Sequence, residues 1–137
     1  MKKIKLQSIA VVLMLVTFLS SCSSDNNTPD TSDVIFKSSF ATDVNGPTTG
    51  KVNQELTYVI SFEVENSCGE FQRFTDVEFK KEPGFQIEAK YPKAGCESST
   101  PTIKRTVYKI TPTQKGTYYL RIAKSDSEYI ETKVVID

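Results

Sequence analysis

The side chains able to do chemistry are few. Histidine is absent from the 137 residues, and three cysteines stand at Cys22, Cys68 and Cys96. Without histidine there is no Ser-His-Asp triad, no imidazole general base and none of the usual catalytic zinc ligands. Cys68 and Cys96 are too few for a zinc site, and they lack the C-x-x-C spacing of redox centres. Carboxylates remain. Glu63 and Glu65 alternate onto one strand face, with Glu78, Glu88 and Glu131 elsewhere. Paired carboxylates can hydrolyse glycosides, but these acids are interleaved with lysines and read as solvated outer-face charges. The chain is therefore expected to be non-enzymatic, with no metal and no cofactor. Aromatic chemistry is the other possibility. Tyr119 and Tyr129 fall opposite the core parity of their strands, and Tyr108 is a third candidate. On one sheet face the three would form a stacking strip for a carbohydrate, although a strand tyrosine commonly serves sheet packing.

The N-terminus carries Lys2, Lys3 and Lys5, then an apolar run from Ile9 to Leu19 broken only by Thr17. The run is about half the length that spans a bilayer, so it reads as the apolar region of a signal peptide. Leu19-Ser20-Ser21-Cys22 follows, and it resembles the bacterial lipobox. That resemblance implies a cut before Cys22, a diacylglycerol on its sulfur and acylation of the new amine. Residues 1–21 are then signal peptide, residues 22–33 a lipidated tether, and residues 34–137 one domain, since the mature chain is too short for two. Acyl chains hold a protein on a membrane at about 0.8 kcal/mol per buried methylene.

Ser23 to Asp33 has no apolar side chain except the Pro29 ring and cannot offset the cost of ordering. Its flexible-coil reach is about 18 Å. Asp25, Asp30 and Asp33 lack the glycine turn and closing glutamate of a calcium loop. Loss of Lys2, Lys3 and Lys5 turns the balance of 17 basic and 17 acidic residues into a net charge of about −3. No basic field is left to attract nucleic acid.

The elements that must position the remaining side chains are strands. The clearest is Glu55 to Glu65: Leu56, Tyr58, Ile60, Phe62 and Val64 share one face, Thr57, Ser61, Glu63 and Glu65 the other, with Val59 the exception. Others are predicted at Val34–Phe40, Gln72–Lys80 with a bulge near Thr75, Phe85–Tyr91, Thr102–Thr111, Gly116–Ile122 and Tyr129–Ile136. Ala41–Gly50 reads as a loop and Glu82-Pro83-Gly84 as a turn. Seven strands at this spacing predict an all-β, immunoglobulin-like Greek-key sandwich of about seven antiparallel strands.

Gly116-x-Tyr118-x-Leu120 resembles the start of the sixth strand in immunoglobulin-like domains. That resemblance implies a corner hydrogen bond from the tyrosine and a core position two residues on. The chain lacks tryptophan, so the antibody-type Cys–Trp–Cys core is absent. Asn-x-Cys-Gly-x-Phe-x-Arg-Phe at Asn66 to Phe74, Tyr-x-x-x-Gly-Cys at Tyr91 to Cys96, and Gly-Thr-Tyr-Tyr-Leu resemble small single-domain lipoproteins of Bacteroidota, over about residues 50 to 136. The resemblance implies a fold and an outer-membrane address, on the periplasmic face or the cell surface, and no activity.

With Cys22 taken by lipid, Cys68 and Cys96 are an even pair in an oxidising compartment. In a Greek-key sandwich their two loops lie at the same end, so a disulfide is expected, worth roughly 3–4 kcal/mol in the chain-entropy model. Free thiols are the rival state. The tether would leave from that end and face the membrane. Asp43–Gly50, Lys81–Gly84 and Thr113–Lys115 would lie at the other end, open to an unknown protein or glycan partner. Pro47-Thr48-Thr49-Gly50 also resembles the Asn-Pro-Thr-Thr-Gly loop of chagasin-like peptidase inhibitors. Here it precedes the second strand instead of following it, and Lys124–Glu128 occupies the place of that family's late Arg-Pro-Trp loop.

Overall fold

The computed structural model describes residues 33–97 and 99–137. The expected signal peptide, the expected lipidation at Cys22 and residues 23–32 of the expected tether fall outside the described residues. The described chain forms β1 (Val34–Asn45), β2 (Thr49–Gly50), β3 (Leu56–Val64), β4 (Glu70–Phe79), β5 (Glu82–Pro92), β6 (Thr102–Ile110), β7 (Gly116–Ala123) and β8 (Tyr129–Ile136).

The all-β expectation holds, but the antiparallel immunoglobulin-like sandwich does not. The strands join in one curled sheet of order β2-β8-β7-β5-β1-β3-β6, with β4 also on β5. The sheet is an open half-barrel of mixed direction: β2 runs parallel to β8, and β5 parallel to β7. The cause is β1. Val34 to Ser39 pair with β5, Phe40 to Asn45 pair with β3, and the register shifts between Ala41 and Asp43. A bulge bends a strand and increases its twist. Hydrogen bonding therefore runs round the corner where a sandwich would have split into two sheets. The stretch expected as a loop from Ala41 supplies this second half of β1, and Thr49–Gly50 is not a loop but β2.

The central strand follows its sequence pattern. Leu56, Tyr58, Ile60, Phe62 and Val64 are at most 2% exposed. Each such side chain contributes about 2 kcal/mol on burial. Ala41 of β1, Ile87, Ala89 and Tyr91 of β5, Leu120 and Ile122 of β7, and Val134 and Ile136 of β8 complete the core. Tyr58 donates from its hydroxyl to the Pro47 carbonyl at 2.9 Å. Its ring leaves Gly46 no room for a side chain, since a Cβ there would fall 2.3 Å from Cδ1.

The curl brings β6 over β4 and β5. Tyr108 meets Phe74 at 5.3 Å and Phe85 at 5.1 Å between ring centroids, and Phe71 meets Phe74 at 4.9 Å. Aromatic packing thus fills the open side of the half-barrel, where no ladder joins β6 to β4. Two local expectations shift. The β4 register slips between Phe71 and Arg73, not near Thr75. The β4–β5 turn is Lys80-Lys81, both at positive φ (51° and 75°), while Glu82, Pro83 and Gly84 already belong to β5. A two-residue hairpin with both residues left-handed matches the twist of its strands.

Candidate functional site

At one end, β3 leaves the core through Asn66, whose side-chain oxygen accepts from the Cys68 N–H at 3.0 Å. Gly69 then passes so close to Val64 and Tyr91 that a Cβ would lie 2.6 Å from the Tyr91 ring. This tight exit aims Cys68 at Cys96 across a Cα separation of 6.1 Å, and the two are disulfide-bonded. Val34 and Cys68 line the same small hollow, so β1 begins at the stapled end.

The tyrosines divide. Tyr119 and Tyr129 share the outer face of the β7–β8 hairpin, where Arg121 lies between them. Its guanidinium sits 5.0 Å from the Tyr119 ring centre and 5.8 Å from that of Tyr129. Arg121 also reaches Glu131 at 2.7 Å and Glu82 at 3.0 Å, and its side chain is 11% exposed. Burial pulls its pKa down. The hydrogen bond to Glu131 and the charges of Glu82 and Glu131 outweigh that and hold it above its ordinary range. Tyr108 is placed in the aromatic seam instead. Burial, with the Asp76 charge adding to it, pushes its phenol up. Tyr108 and Tyr119 meet only as walls of a hollow of about 200 Å³. Tyr118, on the core parity, donates from its hydroxyl to the Gln114 carbonyl at 2.9 Å. Leu120 two residues on is buried. The corner bond that the sixth-strand resemblance implied is therefore present in a different sheet.

A hollow of about 580 Å³ lies where β1 changes partners. Ser38, Thr42, Glu63 and Glu65 give it polar walls, and Phe40 and Pro101 give apolar ones. Lys124, at the start of the β7–β8 turn, stands at its margin. Lys37 pairs with Glu65, and the Glu65 N–H donates to the Tyr91 hydroxyl at 3.0 Å. The outer-face reading of Glu63 and Glu65 is consistent with their exposure. The hollow escaped the sequence because it depends on β1 pairing with both β5 and β3.

Sequence reasoning also missed Arg121 as a hub; the shared parity of Tyr119, Arg121, Tyr129 and Glu131 was the available signal. Val59, the odd residue of β3, lies opposite Val107 on the outer face, and Ile103 is exposed on the same face. Glu88 is taken by Arg73 at 2.8 Å. Among the described residues no group of three histidine, cysteine or acidic side chains is placed to hold a metal ion. No helix of the described residues is long and apolar enough to cross a membrane. The chain matches no protein-family model, no curated protein and no solved structure.

Proposed function

We propose that the protein is a lipid-anchored, non-enzymatic binding or structural module of the cell envelope, held at the outer membrane on its periplasmic or outer face. The observation that carries this is the order of features at the N-terminus. Lysines, a short apolar run, Leu19-Ser20-Ser21-Cys22 and a polar stretch to Asp33 stand in the sequence a lipidation signal requires. The likeness of Asn66–Phe74 and Tyr91–Cys96 to Bacteroidota lipoproteins supports the same address. The start of β1 at the stapled end agrees with a tether leaving there and with the far loops meeting a partner. Replacing Cys22 with Ala is expected to move the protein from the membrane fraction to the soluble one. Continued membrane fractionation of that variant would overturn the anchor.

A glycan partner is the second reading. Tyr119, 47% exposed on the outer face, favours it from one side of the domain, and the mixed walls of the large hollow favour it from another. Binding on a glycan array that is lost with Tyr119→Ala would assign the partner to the tyrosine face.

A further inference from the structure

We infer that the hollow at the β1 crossover is a saccharide-binding site, taking a neutral sugar ring with Phe40 and Pro101 as its apolar contacts and Glu63, Thr42 and Ser38 as its polar ones. This rests on the reading of the domain as a binding module with a glycan partner, and it places the ligand away from the outer tyrosines.

The site is built by the fold. At Ser39 the strand leaves β5, and at Phe40 it joins β3. Along its path the chain turns its hydroxyls at Ser38 and Thr42 toward the same space as Glu63 on the neighbouring strand. Phe40 pairs directly across from Glu63, so an apolar ring and a carboxylate stand side by side. The Glu65 backbone is pinned to the buried Tyr91, and Lys124 is fixed by a turn in which its N–H donates to the Glu128 carbonyl at 2.8 Å. Polar groups carried by strands are held in place before a ligand arrives, which lowers the cost of binding.

The walls select the ligand class. Two carboxylates, Glu63 and Glu65, are balanced by Lys124 and by Lys37, which is already bound to Glu65. A site with so little net charge favours neither a strong cation nor a strong anion. Hydroxyls both donate and accept, and carboxylates accept. A ligand with many hydroxyls round its edge and an apolar C–H face satisfies both kinds of wall at once. A sugar ring is that ligand. At about 580 Å³ the hollow falls within the range of small-molecule sites.

The Arg121 cluster lacks this opening. The guanidinium already covers one face of Tyr119 and of Tyr129, and its hydrogen bonds go to Glu131 and Glu82.

The test uses the full chain purified from cells, on an array of neutral and acidic oligosaccharides. The best-bound oligosaccharide is then titrated calorimetrically. Wild type and Tyr119→Ala are expected to bind alike. Glu63→Ala is expected to weaken binding at least about tenfold, as loss of a charged hydrogen bond does, and Thr42→Val to weaken it less. Both positions are exposed, and an unchanged unfolding midpoint shows that each variant folds. Loss of binding with Tyr119→Ala alone would overturn the site while leaving the glycan reading standing. Binding of spermidine, but of no sugar, at the hollow would overturn the ligand class. Absence of binding to any oligosaccharide would overturn both the site and the glycan reading. The membrane anchor is judged separately, by Cys22→Ala.

Discussion

The Arg121 cluster and the hollow at the β1 crossover use the same materials to opposite ends. Each combines two carboxylates with basic side chains and at least one tyrosine. Around Arg121 the partners close on one another: Glu131 at 2.7 Å, Glu82 at 3.0 Å, and two aromatic rings within 6 Å of the guanidinium. The result is a clasp that ties the start of β5 to the β7–β8 hairpin. At the crossover, Lys37 takes Glu65, while Glu63 has no ion-pair partner among the described residues. Its polar atoms face water across an open space. A polar cluster that satisfies itself stabilises a fold, whereas one left partly open to solvent can satisfy a ligand.

The largest expected effect comes from the staple. Tyr91 lies both at the stapled end and in the wall of the hollow. Replacing Cys68 and Cys96 together with Ser should cost about 3–4 kcal/mol in chemical unfolding. It should also raise amide exchange at Glu65, whose N–H depends on Tyr91, before exchange rises in β7 and β8. Equal loosening of both clusters would show that the two regions are not mechanically separate.

Arg121→Ala comes next. It leaves Glu82 and Glu131 without their shared cation and uncovers the rings of Tyr119 and Tyr129. The unfolding midpoint should fall by less than for loss of the disulfide, but clearly more than for Glu63→Ala. The latter, as an exposed substitution, should stay within about 0.5 kcal/mol of wild type. If Glu63→Ala were the more destabilising of the two, the contrast between clasp and open site would be reversed. Arg121→Lys separates charge from shape, since an ammonium cannot hold both carboxylates with a planar fork.

Alkaline titration probes the β3 core and the aromatic seam, which hold neither cluster. Burial raises the phenols of Tyr58 and Tyr108 above the ordinary value near 10, and Asp76 adds to the effect at Tyr108. The folded chain therefore keeps protons that the unfolded chain releases. Their stabilising contribution is complete below the ordinary value and is lost as pH rises through the raised ones. Stability should fall steadily above about pH 10, and Tyr108→Phe should flatten that fall. An identical slope in the variant would show that Tyr108 is not the linked group.

Much of this was legible in the residues, and what was not has a common cause. The parity of Leu56 to Val64 marked the buried face because period-two alternation is local. The Cys68–Cys96 bond was legible as well, although the sandwich used to argue for it is absent. Both cysteines still lie in loops at the same end. The curl was not legible. It depends on β1 holding two partners across a bulge, and Asp43 and Asn45 are poor strand formers that disguised the second half of that strand. The hollow vanished with the same misreading. The turn at Lys80-Lys81 was hidden because Pro83 and Gly84 gave a stronger turn signal one step later.

That turn supplies the smallest test. Lys80 and Lys81 both hold positive φ, at 51° and 75°. A side chain in the left-handed region costs about 1–2 kcal/mol, and glycine avoids that at the expense of extra unfolded-state freedom. Lys81→Gly should therefore stabilise the domain by about 0.5–1 kcal/mol net. The turn delivers Glu82 to Arg121 immediately after it, so the gain should belong to the clasp. Oligosaccharide affinity at the crossover should not change, because neither Lys80 nor Lys81 lines that hollow. A midpoint that falls would mean that the lysine side chain contributes more than its backbone costs. An affinity that shifts with the turn would mean that the two polar clusters, built from the same kinds of side chain on different parts of one sheet, are coupled through it.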